Sequence, residues 1–167
     1  MTTYMNGDTG VSKVDVNGLC VQRVEATPYS TYSTDSSASF PMDNTIPQNT
    51  EGGAYCTVTI TPKKSTNRLV IRGEFFGATG AANNVGVSIC DSSIANSLAA
   101  TMTTNGGTSY GITIPIHVEL VAGSTSARTY QLRVGTAAGT LYTNGTSSGA
   151  LFGGVGACRL SVEEYQA

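Results

Sequence analysis

A chain of 167 residues and 17.2 kDa, 40% of it hydrophobic, is long enough for one domain with a buried core. Only 12% of the residues are charged, the formal net charge is −2 and the pI is near 5.2, which excludes the basic face that nucleic-acid binding needs. No apolar run approaches the roughly 20 residues of a membrane span, and MTTYMNGDTG lacks an apolar signal core, so a soluble protein without membrane insertion or classical secretion is expected. More than a third of the chain is Gly, Ser or Thr, a balance that favours strands joined by many short turns.

In chain order, the first signal is SKVDV-NG-LCVQRV. Asn17-Gly18 between two alternating runs predicts a two-residue hairpin with Val14, Val16, Leu19 and Val21 on one face. A lone hairpin with one apolar face must dock on something, so residues 1–27 read as an arm or anchor and residues 28–167 as the domain it serves. TPYSTYSTDSSASF supplies a first strand of that domain. FPMDNTIPQNTEGG (40–53) then reads as a crossing between strands. Its prolines hold Phe40 and Ile46 extended, Asp43, Asn44 and Asn49 can close local turns, and Met42 and Ile46 are expected to tuck under the end of the domain.

Cleaner strands follow. AYCTVTIT turns Cys56, Val58 and Ile60 inward, and RLVIRGEFF does so with Leu69, Ile71 and Phe75. NVGVSICD points Val85, Val87 and Ile89 to the core, while SIANSLAATM fits a helical turn or a tight turn into a strand. In GITIPIHVEL every even position from Ile112 to Leu120 is apolar, and Pro115 on the other face marks an edge strand or a bulge. ARTYQLRV and CRLSVEEY complete the set. About eight short strands and no helix of useful length predict an all-β fold, a jelly-roll-like antiparallel β-sandwich preceded by a short N-terminal hairpin arm.

Reactive constellations are missing. His117 is the single histidine and falls on the polar face of a strand, no GxSxG elbow is present, and no His, Cys or Asp spacing suits a metal. Glu163 and Glu164 are strand neighbours and point to opposite faces, unlike a glycosidase pair. Cys20, Cys56, Cys90 and Cys158 form no CxxC pair, and Cys56 and Cys158 occupy core slots, so free buried thiols are expected. The expectation is a non-enzyme without cofactor or metal.

YSTYST, FPMDNTIPQNTEG, VSICDSSIANSLAAT, LYTNGTSSGALFGGV and the terminal CRLSVEEY together resemble the C-terminal β-sandwich head domain of tailed-bacteriophage tail fibre and tail-tip proteins. MNGDTGVSKVDVNG is similar to the segments that lead into such heads. The resemblance implies a structural virion protein, a homotrimer on the surface of the phage particle, made in the host bacterial cytoplasm and joined to other virion proteins of tail or capsid. It implies receptor binding on a host surface glycan or protein, with capsid decoration or a head fibre as the alternative. Subunit contacts would then cover Tyr55, Val70 and Phe76 on outward faces. Strand parity places 41–53, 77–84, 104–109 and 136–149 at one end, offering Asn83, Asn84, Asn105, Tyr142 and Asn144 as host-facing residues. It puts 62–67, 121–127 and the termini at the other end.

Overall fold

The computed structural model describes residues 18–107 and 110–167. Eight long strands carry the fold: β1 (Cys20–Glu25), β3 (Gly53–Ile60), β4 (Arg68–Thr79), β5 (Asn83–Asp91), β6 (Ala99–Asn105), β7 (Ile112–Val121), β8 (Arg128–Thr136) and β12 (Arg159–Tyr165). Short strands lie between them: β2 (Ser33–Asp35), β9 (Leu141–Thr143), β10 (Gly145–Thr146) and β11 (Gly149–Ala150). Antiparallel pairing joins β5 to β6, β4 to β7, β3 to β8 and β1 to β12. Each pair encloses the one before it in sequence, so the chain rolls up as a nested ribbon. One sheet runs β1-β12-β4-β7 and the other β3-β8-β5-β6, the eight-stranded jelly roll expected from the alternation. β9 and β2 extend the first sheet beyond the end of β12, alongside Gly77–Thr79 of β4.

Period-two alternation determines what fills the space between the sheets. Leu69, Ile71, Phe75, Val85, Val87, Ile89, Tyr130, Leu132, Val134, Leu160 and Val162 are all at most 2% exposed. Cys56, Cys90 and Cys158 are buried free thiols, and Cys20 is an exposed one. Desolvation pushes the Cys158 thiol up to about 12, which keeps it protonated and inert. β7 is an edge strand, which lets Pro115 sit in it without removing a ladder hydrogen bond on its free side.

Expectations for the N-terminal arm, for Val70 and for Tyr55 change. Cys20–Glu25 is not half of a separate arm. It pairs with β12 and is, among the described residues, the edge strand of the first sheet, so the 27/28 division cuts through the sandwich. The cause is the free edge of β12, whose backbone groups need partners. Leu19 of the proposed anchor face is 53% exposed and Val21 is half-buried at a bulge, while Val14 and Val16 lie outside the described residues. Val70 is 2% exposed within the single chain, between Glu119 and Glu163. Tyr55 is turned by a bulge at Ala54/Cys56 onto Tyr29 and Phe75, with ring centroids 5.4 and 6.3 Å away. Neither needs a neighbouring subunit to cover it.

The 40–53 stretch is a crossing, but over a face rather than around an end. Phe40 bonds Thr136, Gln48 bridges Asn96, and Gly52 returns to Ser39. The segment therefore lies along the outer surface of β5 and β8. Asp43 accepts from the Thr45 amide at 2.8 Å and closes its own turn. Asn49 instead donates to Ile94. Ile46 is 55% exposed rather than tucked in.

Candidate functional site

Jelly-roll connectivity collects turns at the two ends of the barrel. At one end lie 80–82, 106–107, 110–111 and 137–140, because Gly77 pairs with Ile112 and Thr143, Asn83 with Asn105, and Val85 with Thr136. The other end holds 61–67, 122–127 and the C-terminus. There Ala122 bonds Asn67, and the Ala167 amide reaches Asn67 Oδ1.

The five residues proposed as host-facing fall at or near the first end, and their side chains are mostly occupied. Asn105 is 0% exposed. Its amide donates to the Tyr110 carbonyl at 2.9 Å and its carbonyl accepts from Gly107 at 3.0 Å. Asn144 is 2% exposed, adopts φ 59°, and donates to the carbonyls of Tyr29 and Thr31 at 2.7 and 3.0 Å. These two form corners of the fold, and neither is available to a ligand. Asn is among the few residues that enter the left-handed region at little cost, so a turn in Asn-Gly was a signal for the corner as much as for a loop. Asn83 donates to the Ala138 carbonyl, and Asn84 accepts from Thr104 at 2.7 Å. Tyr142 is half-buried on β9, opposite Ala78 and Thr34.

What this end does expose is apolar. Phe76 points outward from β4, and Phe152 stacks on it with centroids 5.6 Å apart and planes at 30°. Gly156 gives the Phe76 ring room, since a Cβ there would meet it at 3.0 Å. Phe152 is 67% exposed, Val155 78% and Tyr110 65%. Phe152, Gly153 and Gly154 all have positive φ, at 56°, 61° and 88°. For a bulky aromatic that conformation costs about 1–3 kcal/mol, and such strain concentrates at contact sites. The surrounding segments 75–90, 92–116 and 134–158 contain no Asp, Glu, Lys or Arg. Charges stand at its margin: Glu74, two residues before Phe76 on the same face of β4 and opposite Arg159, and Asp35, opposite Leu141, which Ser37 and Ala38 engage through hydrogen bonds that hold it below its ordinary range. The loop end is thus apolar and aromatic, with Glu74 and Arg159 at its margin, and is held in shape by its own backbone. Sequence reading missed it because Phe152 lies outside any alternating run.

No protein-family model matches the sequence, and no curated protein matches it. Several solved structures are similar in fold. The Eiger TNF of S. frugiperda is 8% identical, with a TM-score of 0.49 over 87% of this chain and 92% of that one. A structure of the infectious bursal disease virus Gx strain is 12% identical, with a TM-score of 0.44 over 89% and 37% of the two chains. A carbohydrate-binding module described as CBM4 is 10% identical, with a TM-score of 0.38 over 73% and 76%. Among the described residues no group of three or more His, Cys, Asp or Glu could hold a metal ion, and no helix is long and apolar enough to cross a membrane.

Proposed function

We propose that this is a structural protein of a tailed-phage particle, a homotrimeric head that meets the host surface through the end carrying Phe152, Val155 and Tyr110, and that it is not an enzyme. The observation that supports a contact role is the strained, two-thirds-exposed Phe152 stacked on Phe76 at a loop end whose segments 92–116 and 134–158 carry no charged residue. Stacking on Phe76 offsets only part of the cost of holding an aromatic ring in this conformation in water. A contact that covers the ring offsets the strain. The lack of charge in 92–116 and 134–158 suits an uncharged partner such as the face of a sugar ring, against which aromatic side chains pack. Met102, 49% exposed on the edge strand β6, is an apolar side chain that a neighbouring subunit would cover.

Phe152→Ala tests the contact. Alanine keeps the Cβ and with it the backbone strain, so the loss of stacking (about 1 kcal/mol) should lower the melting temperature by only a few degrees. Particles carrying the variant should assemble normally and adsorb to host cells at least about tenfold less well, the effect of losing roughly 1.4 kcal/mol of contact. Normal assembly with normal adsorption sinks the host-contact reading. Loss of the protein from particles, or particles that fall apart on mild warming, would assign the patch to a capsid or tail neighbour, the decoration reading. Sedimentation of the purified chain at the mass of one subunit, rather than three, would remove the trimer.

A further inference from the structure

The outer face of the first sheet carries a second feature, unrelated to the loop end. Four strands contribute to it in the order β1, β12, β4, β7. Ser161 of β12 lies opposite Glu25 on one side and Arg72 on the other, and His117 follows beyond Arg72. Two residues along the same face of β12 is Arg159, opposite Glu74, with Pro115 beyond. Arg23 of β1 is opposite Glu163, diagonal to Ser161. With strands about 4.8 Å apart, the short serine is ringed by long side chains. The result is an open hollow of about 330 Å³, lined also by Ala26, Pro28, Pro115 and His117. This volume is at the lower end of the range typical of small-molecule sites.

Charge in the hollow is arranged, not merely dense. Glu163, with 14% of its side chain exposed, stands beside the hollow on the same face of β12; it pairs with Arg72 and lies 3.7 Å from Arg23, whose closer partner is Glu25. Hydrogen bonds from Tyr165 and from Arg72, with the charges of Arg72 and Arg23, hold the Glu163 carboxyl below its ordinary range, and it stays ionised. Arg159 has no ion-pair partner within 4 Å among the described residues, although it faces the hollow. Guanidinium forks match oxyanions in geometry and charge. On the rim, Glu25, one of whose oxygens is held by Arg23, and Glu74 offer carboxylate oxygens that can accept hydrogen bonds from hydroxyls.

We propose that this hollow binds the oxyanion of an acidic saccharide, a carboxylate or phosphate on a sugar-sized molecule, with Arg159, Arg72 and the Ser161 hydroxyl on the anion and Glu25 and Glu74 on sugar hydroxyls. The site stands or falls independently of the loop-end contact, which Phe152→Ala tests. Titrating the full chain with sodium glucuronate, inorganic phosphate and glucose, followed by amide NMR shifts, tests the hollow. Glucuronate or phosphate should give saturable shifts centred on Arg72, Arg159 and Ser161, weakened by raising salt from about 50 to 500 mM. The tighter of the two anions identifies the natural oxyanion. Glucose should give no saturable shift in the same range. Arg159→Ala should weaken the anion about tenfold, the worth of one charge-assisted contact. Arg68→Ala, on the same face but outside the hollow, should leave it unchanged. The proposal is overturned by no saturable response to either anion, by glucose binding as well as glucuronate, or by equal losses in the Arg159 and Arg68 variants.

Discussion

Glu164→Gln should cost roughly 3–5 kcal/mol and lower the melting temperature by about 10 °C, although the substitution changes no volume and touches no apolar contact. Glu164 is 0% exposed, and among the described residues it pairs with no cation. Its carboxylate is held by neutral donors alone. Asn67 Nδ2 and the Lys63 amide donate to Oε1 at 2.6 and 2.8 Å, and the Lys64 amide does so at 3.3 Å. Gln22 Nε2 donates to Oε2 at 2.6 Å. One side chain thus ties together the edge strand, the 61–67 turn and the last strand. A glutamine there would turn an –NH2 group towards donors, losing at least two charge-assisted bonds of about 1.5–3 kcal/mol each.

The same residue should shape the acid limb of stability. Burial alone would raise the Glu164 pKa, but the bonds from Asn67, Lys63, Lys64 and Gln22 hold it below its ordinary 4.5. A depressed folded-state pKa means that the unfolded chain binds more protons at acid pH. The stabilisation is therefore fully present above the unfolded pKa and lost as pH falls through the folded one. Denaturant titrations between about pH 6 and 2 should show a shallower fall for Glu164→Gln than for the parent. The fall should not vanish, because hydrogen bonds also hold Asp35, Asp91 and Glu163 low. Parallel profiles for the two proteins would show that the carboxylate carries no net stabilisation.

The alternating runs made most of this fold legible, because a strand with one buried face must repeat every second residue. Ile112 to Leu120 and Cys158 to Val162 are the plainest cases. Given the alternation, parity brought 77–84 and 136–149 to one end, where the turns 80–82 and 137–140 lie, but it also put 41–53 there, which instead crosses the face of β5 and β8. What depended on distant partners was not legible. Asn17-Gly18 is a local hairpin signal, yet β1 spends its other edge on a strand 140 residues later. The adjacent Glu163 and Glu164 look alike in sequence. Only the register of β12 sends one to the arginines outside and the other to a pocket of amides within. Asn105 and Asn144 looked like ligand-facing amides because exposed turns favour the same residue that closes buried ones. The arginine hollow depends on three cross-strand registers at once, and no single stretch of sequence contains them.

The crossing at 40–53 should prove to be held by one ring in one slot. Phe40 is 3% exposed and lies over two glycines of neighbouring strands. A Cβ on Gly86 would stand 2.5 Å from the ring, and one on Gly135 would stand 2.9 Å from the Phe40 Cβ. Neither glycine has a positive φ, so both are there for space rather than for backbone freedom. Phe40→Ala should cost about 3–5 kcal/mol by transfer and cavity terms. Gly86→Val introduces a residue that strands favour, and on an open strand it would stabilise. Here it should destabilise by several kcal/mol, because the ring must leave its slot and residues 41–52 lose their anchor. The two effects share one contact and cannot add. In Phe40→Ala/Gly86→Val the valine enters the vacated space, and the double variant should be about 2 kcal/mol more stable than the sum of the single losses predicts. Limited proteolysis gives an independent reading: Gly86→Val alone should open the 41–52 segment to cleavage while the sandwich remains intact. Additive losses with an uncut segment would mean that the crossing is held elsewhere, through Arg133, whose guanidinium donates to the carbonyls of Glu51 and Gly52 at 2.8 and 2.7 Å.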